Sequence, residues 1–170
     1  MKNLGRWLGG GAISGACGLA LSLAIGVVKH YEGTELESYP DPVGIPTICT
    51  GHTGPEVKLY QKKTPGECEA LLAEDLDDAF AAIDRNVSTE INATIPPARR
   101  AAIASWIFNF GEGAFRDSTL LKRLNAGRIR DACNQLPLWV KGKVNGTYER
   151  LPGLIKRRAT ERELCLLGLE

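Results

Sequence analysis

Three glutamates, one aspartate and one threonine crowd into Glu32-Gly33-Thr34-Glu35-Leu36-Glu37-Ser38-Tyr39-Pro40-Asp41-Pro42-Val43-Gly44-Ile45-Pro46-Thr47. Inverting glycoside hydrolysis needs two carboxyl groups in different states. One is protonated and gives its proton to the leaving oxygen, while the other is ionised and activates water. Spacing by itself leaves Glu32, Glu35 and Glu37 open as the acid. Glu32 is favoured because it stands where a long apolar segment ends, and partial burial keeps a carboxyl protonated. A solvated acidic face following that segment is the plain alternative.

The segment in front of Glu32 carries no charge from Trp7 to Val28, with Lys2 and Arg6 before it and Glu35 and Glu37 beyond it. About twenty such residues cross a hydrocarbon core as a helix, and the flanking charges leave the N-terminus in the cytoplasm. Ile25-Gly26-Val27-Val28-Lys29 is a poor cleavage site, so the segment reads as uncleaved. Its many glycines and alanines (Gly9, Gly10, Gly11, Ala12, Gly15, Ala16, Gly18, Ala20, Ala24, Gly26) supply little apolar area. Glycine and alanine add almost nothing to membrane insertion, so this is a marginal anchor able to leave the bilayer.

From Tyr31 to Gly54 the chain is dense in Gly, Pro, Thr and Tyr, which predicts short strands and hairpins. At Thr64-Pro65-Gly66-Glu67 the pattern changes to an N-cap, a first-turn proline and a capping-box glutamate. Leu71, Leu72, Leu76, Phe80 and Ile83 then recur at helical spacing as far as Asn86. A second, more buried helix is predicted from Pro97 to Phe110, broken at Gly111-Glu112-Gly113. Shorter helices follow over Ser118–Asn125 and Ile129–Leu136, then an exposed turn at Lys141–Gly146 and a final helix over Pro152–Leu167. The fold class is therefore α+β, mostly α, with a small β-rich N-terminal lobe and a helical C-terminal lobe. Two parts are expected: residues 1–28 as the membrane segment and 29–170 as the catalytic domain.

Glu32, eight residues, Asp41, five residues and Thr47, followed by Ile48-Cys49-Thr50-Gly51-His52-Thr53, resembles the catalytic signature of the phage-type lysozymes. The likeness continues, in order, through Ser105-Trp106-Ile107-Phe108-Asn109-Phe110-Gly111, Gly113-Ala114-Phe115 and Ser118-Thr119-Leu120-Leu121. It ends on Pro152-Gly153-Leu154, Arg157-Arg158 and Glu161. What this implies is a lysozyme-like fold and cleavage between N-acetylmuramic acid and N-acetylglucosamine in peptidoglycan. Glu32 would be the general acid, with Asp41 and Thr47 holding the attacking water. Thr47 has only a hydroxyl, so it would position rather than abstract. Phe108, Asn109 and Gly111 would line the sugar cleft, and plain core is the rival role for Phe108. His52 would be structural. Arg157 and Arg158 would meet wall carboxylates or, more simply, form a solvated helix face.

The weakly apolar N-terminus is similar to that of the signal-anchor-release endolysins, which are held inactive at the membrane until the segment escapes. The implied partners are peptidoglycan, the host inner membrane and the secretion machinery. The implied location is the membrane, then the periplasm, and a monomer is expected. Some of that group cage the site through a cysteine in the aspartate position; here the position is Asp41. The other route is geometric, with the segment refolding against the domain and completing the helix that carries Glu32. Val28 and Glu32 are one helical turn apart, which favours it.

An exported domain permits disulfides. Cys49, Cys68, Cys133 and Cys165 allow three full pairings. Cys49–Cys68 with Cys133–Cys165 is favoured, each joining neighbouring elements and leaving Cys17 over. Cys49 stands where the family commonly has glycine. No cysteine or histidine cluster has metal-site spacing and no cofactor is expected, while a net charge of +1 gives no global field for nucleic acid. Two rivals remain: a lytic transglycosylase, which needs Glu32 alone, and a non-catalytic tethered wall-binding protein.

Overall fold

The computed structural model describes residues 15–41, 44–144 and 146–169. Helix α1 (Gly15–Glu32) leads into a three-stranded antiparallel sheet of β1 (Glu35–Pro40), β2 (Pro46–Cys49) and β3 (His52–Thr53). Helices α2 (Pro65–Asn86), α3 (Thr89–Asn92), α4 (Pro97–Asp117), α5 (Thr119–Asn125) and α6 (Ile129–Cys133) follow. A 3₁₀ turn (Leu136–Leu138), the hairpin β4 (Lys141–Val144) and β5 (Thr147–Arg150), and α7 (Pro152–Leu166) complete the chain. This is an α+β fold, mostly α, with a small sheet beside a helical lobe.

Local chemistry explains where the main helices begin and break. Thr64 caps α2 through a capping box: its hydroxyl accepts from the Glu67 amide, and its own amide donates to the Glu67 carboxylate at 2.7 Å. Ser118 caps α5 by accepting from the Leu121 amide at 3.0 Å. Helix α4 is interrupted at Gly111, whose φ of 82° suits a residue without Cβ. The helix resumes beyond it and runs to Asp117, further than the break in the sequence suggests. Cys49 has a φ of 59°, a left-handed conformation that glycine adopts more easily than a residue with a Cβ. Its sulfur is bonded to Cys68, tying the sheet to α2, and a second disulfide joins Cys133 to Cys165.

Three segments differ from expectation. Lys141–Gly146 is not a plain turn, because Lys141–Val144 pairs with Thr147–Arg150 as a hairpin. The dipeptide Asn145-Gly146 is a strong hairpin signal in the sequence, but the segments that flank it are polar and lack an apolar alternation. Helix α6 stops at Cys133, and Leu136-Pro137-Leu138 continues as 3₁₀ because proline cannot extend the ladder. The short α3 carries no buried residue and left no periodic trace.

The main core is built around Trp106, with Ile83, Ile103, Phe115, Leu120, Leu124 and Leu136. A second cluster holds α1 in place: Ala24 and Val28 pack with Leu72, Leu76 and Ala101. Residues 7–14 of the apolar run lie outside the described residues, and the remainder belongs to α1. Among the described residues, no helix is long and apolar enough to cross a membrane. Ala20, Ala24 and Val28 are 1%, 0% and 0% exposed and recur every fourth residue, forming one row along the helix. The next position in that row is Glu32.

Candidate active site

That row directs Glu32 toward the helical lobe, where Arg157 of α7 meets it. The Arg157 Nη1 donates to Glu32 Oε1. Arg157 is 2% exposed and the Glu32 side chain 35%, so the carboxyl has one buried flank and one open to solvent. Behind Arg157 lies Glu161, fully buried, whose Oε1 accepts from Arg157 Nε (3.1 Å), Arg158 Nη2 (2.8 Å) and Ser105 Oγ (2.7 Å). Arg157 Nη2 also donates to the Ser105 carbonyl at 3.2 Å. Arg157 and Arg158 are therefore not a solvated face, nor are they available to wall carboxylates. Their partner Glu161 lies three and four residues on, within reach on the same helix face.

On its open side Glu32 borders a cleft of about 630 Å³. Thr50, Gly51, His52 and Thr53 of the sheet form one wall, and Asp75, Asp78, Ala79 and Arg85 of α2 contribute another. Ile107, Phe108, Asn109, Gly111 and Glu112 of α4 close it. Phe108 is partly buried and also packs beside Ala24 and Leu72, so it serves the core and the cleft together. Among the described residues, Asn109 Oδ1 is buried without a protein hydrogen-bond partner. Glu112 swings across the Gly111 break to accept from Arg85 (2.6 Å) and Asn86 (2.7 Å), which hold its carboxyl down to about 2. Thr50, Asp75, Asp78, Arg85 and Glu112 were not singled out from the sequence. The signals available were the run Ile48–Thr53 for Thr50 and the break at Gly111 for Glu112.

Asp41 and Thr47 sit on the β1–β2 hairpin and are not among the residues that line this cleft. Asp41 organises the turn: its carboxylate accepts from the Ile45 amide at 2.8 Å and its amide donates to Ile45 O at 2.9 Å. Thr47, 5% exposed, pairs with Tyr39 and Thr53 and donates its hydroxyl to Ile45 O at 3.1 Å. No group of three or more His, Cys, Asp or Glu among the described residues is placed to hold a metal ion.

His52 is pinned at both ring nitrogens, Nδ1 to Asp75 and Nε2 to Glu56, each at 2.9 Å. Burial draws its pKa down, but the bonds to Asp75 and Glu56 outweigh burial and leave it above the ordinary 6.5. Burial likewise pushes the Asp75 carboxyl up, partly offset by His52. Both groups thus bind protons more tightly folded than unfolded, so their contribution falls as pH rises. For His52 it is complete below 6.5 and is lost as pH passes through the raised folded value. The melting temperature is expected to decline between about pH 6 and pH 8, and His52→Gln to flatten that decline. Calorimetry across the range checks this, and an unchanged slope in the variant would remove His52 as its source.

The sequence model of the phage lysozyme family matches residues 29–161. The SAR-endolysin of Enterobacteria phage P21 is 40% identical over 98% of this chain and 95% of its own length. Among solved structures, a P22 lysozyme variant is 34% identical with a TM-score of 0.75, covering 85% of this chain and 96% of its own. The active form of the P1 phage endolysin Lyz aligns at 26% identity and TM-score 0.74, over 95% of this chain and 98% of that one. The secreted inactive form of Lyz aligns at 24% identity and TM-score 0.56, over 89% and 96%. The chain belongs to the phage lysozyme family and, within it, to the SAR-endolysins. It is a lysozyme-type enzyme that cleaves the bacterial cell wall.

Proposed function

We propose that this endolysin hydrolyses the β-1,4 bond between N-acetylmuramic acid and N-acetylglucosamine with inversion. The observation that carries the reading is the setting of Glu32, anchored by a buried arginine on one side and open to the cleft on the other. Glu32 passes its proton to the glycosidic oxygen as that bond breaks. A water attacks the anomeric carbon from the opposite face, Asp41 takes the water's proton, and Thr47 orients it. Phe108, Asn109 and Gly111 bind the sugar chain.

Residues 1–28 act as an exported anchor that holds the domain of residues 29–170 inactive at the inner membrane until release. Secretion machinery inserts it, and the freed enzyme works in the periplasm as a monomer. Supporting this cycle, α1 packs its Ala20–Ala24–Val28 row inside the enzyme, so the segment cannot span a bilayer and frame Glu32 at once. The closer likeness to the active than to the inactive form of Lyz points the same way.

Product analysis of digested peptidoglycan tests the reaction. An inverted, water-derived reducing end that disappears with Asp41→Asn is the expected result. A product closed by an internal ether, formed equally well by Asp41→Asn, would instead mark a transglycosylase needing Glu32 alone.

A further inference from the structure

We infer that Glu161 is a positioning residue for the cleavage reaction. It fixes the guanidinium that grips Glu32 and supplies the negative charge that balances the second buried arginine. The inference rests on Glu32 being the acid. Every nitrogen of Arg157 is committed: Nε to Glu161, Nη2 to Ser105, Nη1 to Glu32. The guanidinium therefore has no rotation left, and the position of Glu32 is inherited from Glu161 through it. Arg158 is fully buried as well, bonded to the same Glu161 oxygen and lying over the Phe110 ring at 5.1 Å.

Two buried guanidinium groups face one buried carboxylate, leaving a single positive charge for Glu32 to meet. Without the Glu161 charge, two uncompensated arginines would favour the ionised form of Glu32, which is the wrong form for a proton donor. Burial pushes the Glu161 carboxyl up and pulls the Arg158 guanidinium down to about 10, so each charge in the cluster depends on the others. The remaining charged neighbours line the cleft: Asp75, Asp78 and Arg85 on α2, His52 on β3 and Glu112 on α4, with Asp75 paired to His52 and Arg85 to Glu112. On α1 itself, Lys29 is paired to Glu69 and His30 is exposed. Pairing offsets most of the charge of these groups, whereas the two buried arginines act on Glu32 with little screening by water or salt.

The test is the pH profile of kcat for wild type, Glu161→Gln, Arg158→Met and the double variant, with Glu32→Gln as reference. Glu161→Gln keeps an acceptor oxygen and removes only the charge. It is expected to lower kcat about tenfold with KM within about twofold, and to move the alkaline limb about one unit toward acid. Arg158→Met should move that limb the other way, and the double variant should return it toward wild type. A residue that merely steadies α7 would lower Tm without moving the limb. Should Glu161→Gln fail to fold, the direction of the Arg158→Met shift still decides. An unmoved limb in a folded Glu161→Gln, or an acid shift in Arg158→Met, overturns the positioning role. If Glu32→Gln is inactive in that case, the acid assignment stands alone; if Glu32→Gln is active, both fall.

Discussion

Glu32→Gln is expected to lose wall-degrading activity by a factor of about 10² to 10⁴, the range a positioned general acid supplies. Its stability should change little, by under about 1 kcal/mol, because the ion pair it loses is partly exposed. Arg157 is not stranded by the change, since it keeps Glu161 and the carbonyl and hydroxyl oxygens of Ser105. Gln is also isosteric and offers an oxygen to the same Nη1. Turbidity loss of a cell-wall suspension, beside a melting curve on the same preparation, reads both quantities. Activity within tenfold of wild type in a normally melting protein would mean that the acid lies elsewhere.

Removing residues 1–28 should damage both fold and activity. The deletion takes Ala24 and Val28 from the second core cluster, removes the buried Ala20 beside them, and bares Leu72 and Leu76, which are 1% and 0% exposed in the whole protein. Exposing two leucines costs about 3–6 kcal/mol, enough to lower Tm by roughly 10 °C or more in a domain of this size. What remains of α1 is Lys29-His30-Tyr31-Glu32, too short to close a stable helical turn. Glu32 then loses its fixed approach to Arg157, and misplacement of an acid by an ångström costs about 10²-fold. Circular dichroism and turbidity assays of the shortened protein measure the two effects. Full activity with an unchanged melting point would reduce the segment to an address and a tether, and the refolding part of the proposal would fail.

Legibility in the sequence followed the range of the interactions. The start of α2 was readable because its capping box is written within four residues, and Ser118 and Gly111 marked their positions for the same local reason. The burial of Arg157 and Arg158 was not, because an arginine reads as solvated until its partners are known. One of those partners, Glu32, is 125 residues away. The spacing from Arg157-Arg158 to Glu161 was visible and suits a helix face, yet it does not say whether that face is wet or dry. The cleft showed the same division. Phe108, Asn109 and Gly111 are near neighbours within one motif, so the resemblance carries all three at once, whereas Asp75, Asp78 and Arg85 meet them only through the packing of α2 on α4. The hairpin β4–β5 was missed because its strands are largely exposed and carry no alternation of apolar and polar residues.

Ala20 and Ala24 are buried on the inner face of α1, so a bulkier residue at either position would wedge the helices apart. In the proposed cycle that bulkier residue would also hold the segment longer in hydrocarbon. Mutation therefore meets a one-way filter: enlargement at every fourth position is penalised in the lipid phase and again in the folded enzyme. A phage lineage can trade alanine for glycine or serine there more cheaply than for leucine. The ceiling on side-chain size would persist even if one of the two penalties were relaxed.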